Sequence, residues 1–61
     1  MKFKVGDLVQ IDVSLSDYNK ELALVMKARF SISHSMFQYT VVRQQELTKV
    51  HIYFEDQLIK V

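Results

Sequence analysis

Leu22-Ala23-Leu24-Val25-Met26-Lys27-Ala28-Arg29-Phe30-Ser31-Ile32-Ser33 has two readings, and the choice between them decides the fold. Tyr18, Leu22, Val25 and Met26 stand at i, i+4, i+7 and i+8, the stripe of an amphipathic helix. Glu21 to Leu24 and Met26 to Arg29 are good helix formers, and Ser16 is placed to cap such a helix. Against this, Met26, Ala28, Phe30 and Ile32 alternate with Lys27, Arg29 and Ser31. That is the period-2 pattern of a half-buried strand, and a helix leaves its last switches unexplained.

Pairing with the downstream residues favours the strand. A two-residue turn at His34-Ser35 sets Ile32 opposite Phe37, Phe30 opposite Tyr39, Ala28 opposite Val41 and Met26 opposite Arg43. The other side of that ribbon carries Ser31 with Gln38, Arg29 with Thr40 and Lys27 with Val42. A loop at Gln45-Glu46-Leu47-Thr48 then sets Val41 opposite Ile52 and Tyr39 opposite Phe54. Apolar meets apolar across three strands, as a half-buried sheet requires. Neither loop has the Asn-Gly that tight hairpins prefer, so longer loops with the same facing satisfy the pattern as well. Met26, Phe30, Met36 and Phe37 are expected in the core.

Outward from this meander, Val9, Ile11 and Val13 alternate with Gln10 and Asp12, which predicts a first strand within Lys4 to Val13. The single glycine, Gly6, supplies the turn before it, because glycine reaches backbone angles closed to other residues. Ser14 to Glu21 is a polar connection with turn-forming Ser, Asp and Asn, over which Leu15 and Tyr18 are expected to fold back onto the core edge. Glu55-Asp56-Gln57 interrupts the fourth strand as one 3₁₀ turn, and Leu58, Ile59 and Val61 form a last strand closing against the first. The fold expected is all-β, one five-stranded barrel over residues 1–61. The alternative is an α+β fold with a helix over 16–29 on a three-stranded sheet.

Size and composition limit the functions open to this chain. Its 61 residues make one marginally stable domain, of a size that usually needs a staple such as a disulfide, a metal or a partner subunit. Cysteine is absent, which removes disulfides, thiolate metal sites and a cysteine nucleophile. Eight basic residues against seven acidic ones give a net charge of +1, a weak field for attracting nucleic acid or an acidic membrane. No run approaches the roughly 18 apolar residues of a membrane helix, and no apolar stretch follows Met1-Lys2-Phe3-Lys4 as a signal peptide requires. The expectation is a cytoplasmic protein with no membrane association.

Catalytic chemistry finds no support. His34 and His51 are the two histidines, fewer than the three or four ligands of a metal site. Glu55 and Asp56 are neighbours, but adjacent strand residues point to opposite faces. There is no phosphate-binding glycine loop and no nucleophile elbow. No catalytic, metal or cofactor site is expected. The outward face of the meander is richer: in the register above it reads Lys27-Val42-His51, Arg29-Thr40-Tyr53 and Ser31-Gln38-Glu55. Lys27, Arg29, Val42, His51 and Tyr53 form the candidate interaction surface, with Tyr18 as a candidate loop contact. Tyr and Arg anchor protein interfaces, and the same set can stack and pair with a single-stranded nucleic acid. Adjacent Glu55 and the low net charge favour protein. Strand edges without proline add self-association to the expected partners. The plain alternative is an ordinary solvated sheet face.

Val5-Gly6-Asp7-Leu8-Val9-Gln10-Ile11, Ala23-Leu24-Val25, Tyr39-Thr40-Val41 and Phe54-Glu55-Asp56-Gln57-Leu58 follow one another along nearly the whole chain. With a long first loop, two hairpins and one turn before the last strand, this order resembles the SH3-like small barrel, the KOW and Tudor-like plan. Ala23 stands where such barrels often carry glycine. Similar free-standing barrels occur among small phage and bacterial proteins. The resemblance implies a non-enzymatic interaction or assembly module, an oligomeric accessory or structural subunit of a phage or bacterial complex. It implies residence in the host cytoplasm or the virion, with nucleic-acid binding as the alternative.

Overall fold

Val9 and Ile11 on one side, and Leu8 and Gln10 on the other, make the first strand two-faced, and the second and last strands are laid against its two edges. A computed structural model describes residues 2–61. It contains β1 (Leu8–Ile11), β2 (Leu22–Ser31), β3 (Met36–Arg43), β4 (Glu46–Phe54) and β5 (Leu58–Lys60), with a 3₁₀ turn at Glu55–Gln57 before β5. All pairings are antiparallel, in the order β4-β3-β2-β1-β5. The fold is all-β, and the helix over 16–29 does not form. Residues 14–20 make turns instead, and Leu22 to Ser31 pair with β1 and β3. Strand pairing gives Val25 and the β-bonded backbone a buried partner that an isolated helix of this length lacks.

The last strand pairs with the first, Ile11 opposite Leu58 and Val9 opposite Lys60. The sheet nevertheless stays open, with β4 and β5 as its two edges. The five strands expected of a small barrel thus form one bent, unclosed sheet wrapped around one core. The Cα radius of gyration is 10.6 Å, close to the roughly 10.5 Å expected of a folded chain of this length, so the sheet curls rather than lying flat. The core holds Phe3, Val9, Ile11, Ala23, Val25, Tyr39, Val41 and Leu58. Each large aliphatic member contributes about 1.5–3 kcal/mol by leaving water.

The turn into β1 works as its residues require. Gly6 has φ +94°, its N–H donates to the Val25 carbonyl at 2.8 Å, and the Lys4 N–H donates to Asp7 Oδ2 at 2.9 Å. Both hairpin turns differ from the expected shape: β3 and β4 are joined by Gln44-Gln45 rather than by Gln45 to Thr48, and the β2–β3 turn is longer than the two residues expected. It spans four residues, Ile32 to Ser35, with Ser35 at φ +55°. Phe30 therefore pairs with Phe37 and Ala28 with Tyr39, two residues from the expected register but with the same facing.

Two register details change which side chains face inward. A β-bulge between Val25 and Lys27 leaves Met26 without a partner, so Val25 takes the inward place expected of Met26. A bulge of this kind bends the strand, which is what lets β2 curl around the core. Met26 and Phe30, expected inside, are about half exposed, and Ile32 at the hairpin tip is 87% exposed. Phe37 does pack against the core. β4 pairs one residue away from expectation: Tyr39 is opposite Tyr53, Thr40 opposite Ile52, Val41 opposite His51 and Val42 opposite Val50. A one-residue slip turns over the whole strand. His51 and Tyr53 thus share the core side, and Val50 and Ile52 face out. In the first loop Tyr18 packs on the core as expected, while Leu15 is 97% exposed.

Candidate functional site

The outer side of the sheet is organised by one cross-strand row. Leu8 is opposite Leu24, Leu24 opposite Val42, and Val42 opposite Val50. Val61 extends the row past β1, its N–H donating to the Leu8 carbonyl at 3.3 Å. Val42, in the middle, is 8% exposed, whereas Val50 at the β4 edge is 64% exposed. The next row reads Lys27, Thr40, Ile52, with the unpaired Met26 beside it and Ile52 63% exposed. Residues of β1, β2 and β4, with Val61 just past β5, thus present a band of aliphatic side chains to solvent, which is the kind of patch that marks a contact surface. On one flank Gln10 stands between Leu22 and the half-exposed Ile59, and the other flank is polar, with Lys27, Gln38 and Arg29.

The residues expected to form the interaction surface divide between the two faces. Lys27 and Arg29 are exposed on the outer side, and Val42 sits in the aliphatic row. His51 and Tyr53 do not join them, because the β4 register turns both toward the core, where they are only partly exposed. The expected row Lys27-Val42-His51 is replaced by Lys27-Thr40-Ile52, and Arg29-Thr40-Tyr53 by Arg29-Gln38-Phe54. The aliphatic positions Leu8, Leu24, Val50 and Ile52 stand with Lys27, Arg29 and Val42 on the outer side instead. Sequence reasoning missed them because it placed Ile52 inside and gave Leu8 and Leu24 no cross-strand partners.

Tyr18 belongs to a second cluster, built around Arg43. The Arg43 side chain is 10% exposed and donates from Nε to Glu21 Oε1 at 2.9 Å, with a second ion pair from Nη1 to Glu46 Oε1 at 3.2 Å. Its guanidinium lies 3.8 Å from the centroid of the Tyr18 ring, a cation–π arrangement. The hydrogen bond to Glu21, reinforced by the charges of Glu21, Tyr18 and Glu46 and opposed by desolvation, raises the Arg43 pKa above its ordinary value. The Tyr18 ring also meets that of His51 edge-on, ring centroids 5.2 Å apart. His51 Nε2 is buried and has no hydrogen-bond partner among the described residues. This cluster ties the first loop to β3 and β4, so it is a clamp on the fold. A signal for it was present in the sequence. Arg43 lies in phase with Tyr39 and Val41, and a buried cation demands carboxylates.

At the far end, the β2–β3 tip is held by His34. Its Nδ1 lies 3.0 Å from Ser31 Oγ, and its ring packs 4.6 Å from that of Phe54. Among the described residues no three metal-ligating side chains converge, and no helix is long and apolar enough to cross a membrane. No protein-family model, curated protein or solved structure matches the chain.

Proposed function

We propose that this chain is a non-enzymatic protein-interaction module whose contact surface is the outer face of the sheet. The observation that carries the reading is the continuous row Leu8–Leu24–Val42–Val50, with Ile52 and Met26 beside it. An aliphatic centre with a polar rim is the anatomy of a protein interface. The strand order, the long first loop and the single 3₁₀ turn before β5 support an SH3-like plan for the module. That plan suits a small accessory or structural subunit of a phage or bacterial assembly, working in the host cytoplasm or in the virion.

Nucleic-acid binding is the weaker reading. Single strands are held by aromatic platforms in a basic groove. Here the exposed outer positions beside Lys27 and Arg29 are Met26, Val50 and Ile52, while Tyr53 and His51 face the core side. A photo-crosslinking side chain at Val50, introduced in the producing cells, tests the choice. Discrete protein adducts are expected, absent when the probe stands at the exposed loop residue Leu15. Adducts with nucleic acid alone, or none, would end the protein reading. Titration with a single-stranded oligonucleotide at low salt is expected to show no binding with the salt dependence of phosphate contacts.

A further inference from the structure

We infer that the occupant of the outer face is a second copy of this chain, packed face to face about a two-fold axis running along the row Leu8–Leu24–Val42–Val50. This inference rests on the outer face being a protein-contact surface and adds what it contacts.

Three observations carry it. The first is area. Leu8, Leu24, Met26, Val50, Ile52 and Val61 are between 39% and 68% exposed, which leaves on the order of 300 Å² of apolar side-chain surface in water. One side of a standard interface covers about 800 Å², of which somewhat over half is apolar. The band supplies the greater part of that apolar centre, and the polar residues around it supply a rim. For a chain with 4321 Å² of accessible surface, such an interface is about a fifth of the whole.

The second is the charge layout. Lys27 and Arg29 both lie on one side of the row, and on the other side Gln10 stands between Leu22 and the half-exposed Ile59. An axis along the row exchanges the two sides. Each copy's Lys27 and Arg29 then lie over the Leu22, Gln10 and Ile59 side of its partner, away from the partner's own Lys27 and Arg29. A two-fold contact must be self-complementary in this way.

The third is the small core. Eight buried hydrophobic residues hold the main cluster, and there is no disulfide. A domain of this size commonly gains its missing stability from a partner subunit, and an identical copy is present wherever the chain is made. Two sheets stacked by their aliphatic faces lie about 10 Å apart, the spacing of a β-sandwich.

The test is the association state of the whole chain, followed by sedimentation between about 1 and about 200 µM. A concentration-dependent dimer is expected. Ile52→Lys and Leu24→Lys each place a charge in the interface and are expected to weaken association at least about tenfold, with the β spectrum by circular dichroism retained. Ile52 is the more exposed of the two, so Ile52→Lys keeps the test open if Leu24→Lys perturbs folding. Because the chain has no cysteine, Val50→Cys adds a single thiol at the rim of the row. A bis-maleimide spanning about the distance between packed sheets should link two copies through it, and Ile32→Cys at the hairpin tip should stay unlinked. A chain that is monomeric throughout overturns this inference alone, leaving the crosslinking at Val50 to judge the wider interaction reading. A dimer indifferent to both lysine substitutions also overturns this inference, because the two copies then meet through another surface.

Discussion

Replacing Tyr39 by Phe removes a single oxygen and should cost this domain a large share of its stability. The Tyr39 hydroxyl oxygen accepts from the backbone N–H of Lys2 at 3.0 Å and of Phe3 at 3.1 Å. Tyr39 is fully buried, Phe3 is 1% exposed, and the two rings meet edge-on at 5.1 Å. The hydroxyl thus ties the N-terminal segment to the core. In the variant the Phe3 N–H stays buried with no acceptor, which costs about 1–3 kcal/mol, while the more exposed Lys2 N–H recovers water. We expect a loss of about 2 kcal/mol. A chain of this length has roughly 3–9 kcal/mol in all, and about 2 kcal/mol corresponds to a fall in Tm of roughly 8–16 °C. Circular dichroism melts measure that fall. Urea titration should show a lower midpoint with an unchanged slope, because the surface exposed on unfolding is the same. Hydrogen exchange gives the local readout: the Phe3 amide should lose protection beyond the global change, and the Val25 amide should not. A Tm within about 3 °C of the parent, or a Phe3 amide still protected, would refute the reasoning.

Gly6→Ala puts a Cβ on a residue at φ +94°, where no atom lies within 4 Å of it. The cost is backbone strain of about 1–2 kcal/mol, read from the urea midpoint, with association of the folded fraction unchanged. His51→Phe keeps a ring against Tyr18 and removes the buried, unpartnered Nε2. Its stability should rise by up to about 1 kcal/mol, and a loss of that size in a chemical-denaturation series would mean that Nε2 has a partner. Arg43→Met removes both ion pairs and the cation over Tyr18. Chymotrypsin should then cleave after Leu15 and Tyr18 several-fold faster, since loop cleavage follows local opening. The raised pKa of Arg43 stabilises the fold below its unfolded value and is lost only as pH climbs past the folded one. Arg43 ionisation therefore adds no pH dependence near neutrality.

Several features were legible in the sequence because each has a local cause. Gly6 announces its own positive φ. Val9 and Ile11 announce the inward face of β1, since Leu8, Gln10 and Asp12 between them are less buried or exposed. Glu55-Asp56-Gln57 announces its turn, which the Gln57 side chain closes by accepting from the Phe54 N–H at 2.9 Å. The outer face was only half legible. Lys27 and Arg29 stood out as exposed cations whatever the register, but His51 and Tyr53 were assigned to the wrong face. The reason lies in β4 itself. Val50 and Ile52 on one phase, His51 and Tyr53 on the other, are both able to fill an interior, so alternation does not choose between them.

Sequence by itself determined the class of fold, the strands and their approximate ends, and the turn at Gly6, because these depend on periodicity and on one residue's backbone freedom. Only the tertiary structure decided the bulge at Met26, the register of β4 and the openness of the sheet. A bulge or a one-residue slip leaves each strand's own pattern intact and changes only what it meets. That choice is made by packing. The concave side already holds Tyr39, Val41 and Arg43, and Tyr18 comes down from the first loop onto Arg43 and His51. The rings of His51 and Tyr53 complete that side, and the aliphatic Val50 and Ile52 are left on the surface that we assign to a second copy.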